Sequence, residues 1–565
     1  MIRARVPVSL ILLAFAAAPV AAQEKRALDH TDYDIWNRIQ DDVLSDDGAW
    51  LAYRLTPGDG DATLVIRALG SERTLTIPRG GAPTFSADSR YLVALVAPMQ
   101  AAVDEAREAG GRDADLPGDS LAVVDLSDLS VERVADVVSF AMPEEDGDWM
   151  AYMLKAAEDE DDDAEEVEDE GEEDDAEAPR LDDGSTLVAS ELSGSGEWRF
   201  DAVVEYEFAA DGSALFYAAS GAEGASDGVV RVSSSGDATT IATGEGRYLQ
   251  LAVSDGGDAA FLTDRDDRSS EAPAFALYTT TGGEAASRVA RGSSALPDGW
   301  APSEHGDVSF SDSGARVFFG TARAPEPEVE NDTPEDERVS VDVWNWKDPL
   351  LQPMQLVQAE RERERTYQAM LDLNGGAVMQ LATDDVPSVD VATGGDGDVA
   401  LGTSDLPYRQ LVSWDGRYSD LYAIDLEDGS RDLIAEMVRG SGALSPGGRY
   451  VTRWDGFEQA WFAIDVESGT SVDLTSAMPV PFHDLLDDHP DALRPYGSAG
   501  WTADDQRFLV YDQFDIWAID PTGSAAPKNV TEGAGRSTDT RFRYVDLDRD
   551  EEVVPHRDDI LLSSF

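Results

Sequence analysis

Five histidines are the only imidazoles this chain has for metal or acid–base chemistry. Two of them, His483 and His489, stand among Asp484, Asp487 and Asp488 in VPFHDLLDDHPDALRPYG. Imidazole and carboxylate are both metal ligands. A six-residue gap, however, puts the two rings on different faces of a helix, away from known ligand spacings. They are read as loop histidines beside carboxylates. Serine chemistry of the α/β-hydrolase kind would show a G-x-S-x-G elbow, which lifts a serine above the sheet. None occurs, and Gly194-Ser195-Gly196 and Gly440-Ser441-Gly442 are turn sequences within β repeats. There is no P-loop, no H-E-x-x-H and no cysteine, so disulfides and thiolate metal sites are excluded. No catalytic, cofactor-binding or metal-ligating residue can be assigned, and no cofactor is implied.

Carboxylates are what the chain carries in excess. It has 114 Asp and Glu against 43 Lys and Arg, a formal charge of −71, and its only lysines are Lys25, Lys155, Lys347 and Lys528. Phosphate binding needs clustered positive charge, which argues against a nucleic-acid partner. Pervasive acidity suits solubility in strong salt, where self-repulsion is screened, and so a saline source. A functional alternative is an acidic channel that steers cationic peptides inward. Residues 158–178 hold sixteen Asp or Glu, no Lys or Arg, and almost nothing apolar. Such a block repels itself and buries nothing, so a disordered loop is predicted over about residues 156–181. Its spacing matches neither an EF-hand nor a Gly-Asp calcium repeat.

Any site must be positioned by a repeat. A tight turn followed by an apolar strand recurs at SDDGAWLAY (45–53), SADSRYLVAL (86–95), EDGDWMAY (145–152), ADGSALFY (210–217) and SDGGDAAFL (254–262). It continues at SDSGARVFF (311–319), more weakly at GDGDVALG (395–402), then at SPGGRYVTR (445–453) and ADDQRFLVY (503–511). Companion strand–turn–strand segments include LAVVDLSDLSVERV (121–134) and LYAIDLEDGSRDLI (421–434). Units of about 40–50 residues with about four strands each are the signature of propeller blades. The fold class predicted is all-β, a β-propeller of seven to eight four-stranded blades with up to nine repeat units. A long sandwich or a solenoid are the alternatives.

In chain order, residues 1–22 are predicted to be a secretory signal. Arg3 and Arg5 precede an apolar run over Val8–Ala18, and small residues stand before Gln23. Export to the periplasm or beyond follows, with no membrane contact after cleavage. A retained anchor is the alternative, and no other stretch is long and apolar enough to span a bilayer. Residues 23–44 are predicted to hold a short helix with Ile35, Trp36 and Ile39 on one face. The propeller is expected over 45–546, with an insertion over about 321–366. Within that insertion VDVWNWKDPLLQPMQ (341–355) is read as a strand with Trp344 and Trp346 on one face. QAERERER (358–365) is read as a helical turn or a polar strand edge. Residues 547–565 form an exit segment.

Several stretches resemble the N-terminal propeller half of secreted bacterial prolyl oligopeptidase family serine peptidases. They are LDHTDYDIWNRIQDDVLSDDGAWLAY, FLTDRDD (261–267), VDVWNWKDPLLQPMQ, YDQFDIWAIDPTG with NVTEGAGR, then FRYVDLDRDEE and DILLSSF. The likeness covers nearly all of residues 27–565. It implies that the propeller caps an α/β-hydrolase domain carrying Ser, Asp and His, and admits peptides while excluding folded proteins. That domain is missing from this chain or separate, so no triad residue carries over. Some dipeptidyl-peptidase members hold the substrate amine with a propeller Glu pair. Glu144-Glu145 is such a pair, but it lies in a turn without matching aromatic context and is not assigned that role. The function expected is therefore a non-catalytic propeller that gates a peptidase site, inactive alone. Its partners would be the hydrolase domain and entering peptides. A free-standing periplasmic propeller binding a peptide, protein or carbohydrate is the alternative, since one fold hosts many functions. A propeller lactonase or glycosidase would need channel carboxylates or a metal.

Overall fold

A computed structural model describes residues 29–34, 36–109, 116–155, 184–194, 196–221, 224, 226–281, 284–327, 341, 343–392, 394–546, 552–555 and 560–565. The expected signal segment and the acidic run 158–178 lie outside them, as does Ile35. The strands form nine antiparallel four-stranded meanders, over residues 38–78, 80–134, 137–203, 203–243, 248–289, 300–380, 388–439, 442–473 and 498–529. The chain is a β-propeller at the upper end of the expected number of units. The third and fourth units are one seven-stranded sheet joined through Glu197–Phe208. The first half of that strand pairs with Ser185–Glu191 and the second with Ala214–Ala219. In the sixth unit the first strand is split into Trp300–Pro302 and Ser309–Phe310.

The turn between the first two strands is built from its own serine. Ser45, Ser86 and Ser445 are buried, and each hydroxyl oxygen accepts the N–H five residues on, from Trp50 (2.9 Å), Tyr91 (2.9 Å) and Tyr450 (3.0 Å). Thr502 does the same for Arg507 at 3.1 Å. These side chains satisfy a donor that the tight turn would otherwise bury unpaired. Neighbouring turns then touch. Asp47 N–H donates to Ser89 Oγ (3.2 Å), the Trp149 indole to Gly212 O (3.0 Å), and Asp312 N–H to Gly394 O (2.8 Å). Gly212 has φ +66°, and a Cβ there would collide with the Asp146 carbonyl of the preceding unit. Gly257, Gly314 and Gly448 likewise lie against the preceding unit, and Ser445 bonds Asp505 of the next, so the described turns gather at one end of the molecule.

Second strands are apolar on both faces because each packs against a unit on either side. Ala214–Ala219 and Phe508–Tyr511 are buried throughout. Fourth strands face solvent, as in the exposed Ser130–Val134. Apolar clusters join consecutive units from first to ninth, such as Ile66 with Leu92, Phe275 with Phe319, Leu421 with Val451 and Tyr450 with Trp501. In the ninth unit Phe508 and Val510 face the eighth, while Leu509, Tyr511 and Ile516 face the other way. That far face packs on Val554, Tyr544 and Leu562 of the C-terminal segment. Here Phe542–Tyr544 pairs with Leu562–Ser564, and Val554 N–H donates to Trp501 O at 2.7 Å.

Two local expectations differ from the structure, and a third is decided between its alternatives. Among the described residues the short helix expected within 23–44 is His30–Asp34, and Arg38–Leu44 is instead the first strand of the first unit. Its pairing with Trp50–Thr56 through the Ser45 turn overrides the helical spacing of Trp36 and Ile39. Residues 341–351 form no strand where described, and Trp344 and Trp346 are exposed. Pro349 removes a donor there, and no neighbouring strand pairs with the segment. A helix follows at Gln352–Arg363, with proline in its first turn, so QAERERER is mostly helical.

Candidate functional site

With the first turns gathered at one end, the connections between second and third strands must emerge at the other. Several long insertions are of this kind, and the long connection 474–497, from the fourth strand of unit eight to the first of unit nine, emerges at the same end. The insertions are residues 97–119 with the helix Gln100–Glu108, 324–366 with Gln352–Arg363, and 405–417 with the 3-10 helix Leu406–Ser413. The acidic run also leaves and re-enters between such strands, Trp149–Leu154 and Ser185–Glu191. One end is thus trimmed to tight turns and the other carries the elaborations.

The loop end exposes several large apolar side chains. Trp344, Trp346 and Trp414 are 67%, 86% and 74% exposed, and Val357, Phe457 and Leu486 are exposed elsewhere in the connections at this end. The three tryptophans, with Leu350 and Leu351, line a cavity of about 410 Å3 between the insertions of units six and seven. Gln410 holds the two insertions together, donating to the Asp348 carbonyl at 3.2 Å. Asp348 in turn accepts Asn345 N–H at 3.0 Å, fixing the Trp344–Lys347 turn. An exposed aromatic patch of this kind marks an interaction surface.

A second cavity, of about 480 Å3, lies across the same 3-10 helix and is lined by Arg365, Arg409, Arg417, Tyr408, Tyr418 and Ser441. It adjoins one of about 290 Å3 lined by Arg323, Arg363, Arg365 and Arg409. Arg365 binds Glu362 through two hydrogen bonds, and these hold the Glu362 carboxyl below its ordinary value, with Arg409 and Arg361 adding to the effect. Tyr408 donates to Asp420 at 2.7 Å, and that carboxylate pushes the phenol up to about 12.

The turn end is acidic. Glu205 accepts N–H groups from Gln250 (3.2 Å) and Leu251 (2.8 Å), tying units four and five together. Glu207, two residues on, lines a cavity of about 270 Å3 with Asp255 and Asp312. Burial pushes the Glu207 carboxyl up to about 7, and the charges of Glu144 and Glu205 add to the rise. Glu144 thus acts on Glu207 through its field, while Glu145 N–H donates to Ala210 O across the turns. Glu552 of the C-terminal segment is raised by burial and by Asp312 and Asp396.

His489 hydrogen-bonds Asp487 at 2.6 Å in an exposed loop, and His483 pairs in a bridge with Pro495. Among the described residues, no three His, Asp or Glu side chains are grouped to hold a metal ion. The arginine and tryptophan cavities were not legible as sites in the sequence. Their signals were the arginines of RERER (361–365) and YRQLVSWDGR (408–417), and the tryptophans of the Trp-Lys-Asp-Pro stretch.

No protein-family model and no curated protein matches the chain. Solved structures do. The propeller domain of the trilobed protease from Pyrococcus furiosus is 12% identical, with 72% of this chain and 100% of that one covered, at a TM-score of 0.29. Acylaminoacyl peptidase from Pyrococcus horikoshii is 11% identical, covering 76% of this chain and 57% of that one, at 0.29. Prolyl oligopeptidase B from Galerina marginata is 11% identical, covering 65% and 46%, at 0.30. The chain therefore spans about half the length of the two whole peptidases. The fold itself rests on the nine meanders described above.

Proposed function

We propose that this chain is the propeller portion of a secreted prolyl oligopeptidase-like serine peptidase, and that its loop end docks an α/β-hydrolase domain and gates peptide entry to it. The observation that carries the reading is the tryptophan-lined end, where Trp344, Trp346 and Trp414 stand in solvent around one cavity. A contiguous exposed aromatic patch marks an interaction surface, and tryptophan is enriched at binding hot spots. The sequence resemblance supplies the identity of the partner.

The test begins with the DNA beside this coding region. A neighbouring hydrolase domain with a G-x-S-x-G elbow would be co-expressed with the chain. Phosphonate-sensitive cleavage of short peptides, but not of folded proteins, is expected from the pair and not from this chain alone. The triple variant W344S/W346S/W414S should lose the partner while remaining folded. Phosphonate-sensitive turnover by the chain alone would overturn the reading. Binding of a peptide or sugar at the loop end with no hydrolase encoded nearby would favour a free-standing propeller.

A further inference from the structure

The arginine cavities reverse the charge balance of the molecule. Carboxylates outnumber Lys and Arg 114 to 43 in the chain. The lining of the two adjoining cavities holds arginines 323, 363, 365, 409 and 417 against the carboxylates Glu362, Asp384 and Asp405. Each of those carboxylates is already engaged. Arg323 pairs with Asp384 at 3.0 Å, Arg365 with Glu362, and Arg409 with Asp405 at 3.0 Å. Among the described residues this leaves Arg363 and Arg417 exposed and without a carboxylate partner. A guanidinium stays charged at any accessible pH and offers a planar fork of donors that matches an oxyanion. Hydroxyls of Ser388, Thr403 and Ser441 line the larger cavity as further donors, and its volume is that of a small-ligand site.

We propose that this cleft, where units six, seven and eight meet at the loop end, binds a ligand through an oxyanion group, a carboxylate or a phosphate, with Arg417 as its principal contact. Distant carboxylates repel such a ligand, but over more than a Debye length, about 8–10 Å at physiological salt, that repulsion is screened while contacts in the cleft persist. The site therefore works at moderate ionic strength despite a formal charge of −71. It does not depend on whether a hydrolase domain docks beside it.

The experiment is calorimetric titration of the full chain at moderate salt. The probes are a capped Asp-Glu dipeptide, its capped Asn-Gln counterpart, and inorganic phosphate. One of the two anions should bind and the neutral dipeptide should not. Arg417→Gln should weaken binding by about tenfold or more, the loss expected for one charge-assisted contact. Arg363→Gln is the second variant, and because both side chains are exposed, unchanged thermal unfolding will show that the fold is intact. Binding of the acidic dipeptide alone assigns a peptide carboxylate, and tighter binding of phosphate assigns a phosphate group. Failure of both anions to bind, or wild-type affinity in both variants, would overturn the proposal.

Discussion

Ser445 donates its hydroxyl to Asp505 at 2.6 Å, across the boundary between the eighth and ninth units. Asp505 also accepts N–H groups from Gly447 (3.0 Å) and Arg449 (3.2 Å), and Ser445 and Asp505 are themselves buried. One carboxylate therefore closes a neighbouring unit's turn. Asp505→Ala strands three donors at once and should cost about 2–4 kcal/mol. Asp488→Ala, in an exposed loop, should change stability by less than about 0.5 kcal/mol. Urea unfolding of the two variants checks the contrast.

Glu207 makes stability depend on pH in a defined direction. Its carboxyl titrates at about 7 in the folded chain, above the ordinary 4.5, because it is buried near Glu144 and Glu205. Between those values the folded state holds a proton that the unfolded state has released. Its contribution is thus present in acid, falls as pH rises from about 4.5 to about 7, and stays low above that. Glu207→Gln should flatten this part of the profile and raise the melting temperature at pH 8. An unchanged profile would mean that Glu207 ionises freely.

Val554 is buried against the far face of the ninth unit, with Leu509, Tyr511 and Ile516. Val554→Asp would place a charge there with no partner and should cost about 3 kcal/mol or more. The C-terminal segment should then lift away, with faster hydrogen exchange in Phe508–Tyr511 and increased dye binding to exposed apolar surface.

Trp346 presents the opposite case. At 86% exposure it contributes little to folding, so Trp346→Ser should shift stability by no more than about 0.5 kcal/mol. The same variant should weaken capture of a hydrolase partner. Parallel thermal melts and binding measurements separate the two effects.

A formal charge of −71 on 565 residues implies strong self-repulsion in the compact state. The melting temperature should rise steadily from low salt towards about 1 M NaCl, where the Debye length falls to about 3 Å. A flat response would show that the charges are already neutralised locally.

Much of the architecture was legible because it is made of local chemistry. A tight turn rich in Asp, Gly and Ser and a following apolar strand are read within a span of about ten residues, and each of the nine turns read in this way joins the first two strands of a described unit. Even the weak GDGDVALG segment is one, with Asp396 receiving Ser313 from the neighbouring turn. Arg38–Leu44 was misread for the complementary reason. Its helical spacing is local, whereas its strand pairing depends on Trp50–Thr56 lying alongside. The Trp344–Trp346 stretch carries strand-like alternation, and nothing within it reveals that no described strand pairs with it.

By itself the sequence determined the all-β repeat, the acidity and the want of a recognisable nucleophile motif, because turns, charge and motif spacing are properties of short segments. Only the tertiary structure decided that the long insertions share one end and that Gln410 meets Asp348. It alone brought Arg365 and Arg409 to one cavity and placed Glu144 in the field of Glu207. Those residues lie tens of positions apart, and they meet because whole units stack side by side with their first turns in contact, an arrangement set by packing between sheets.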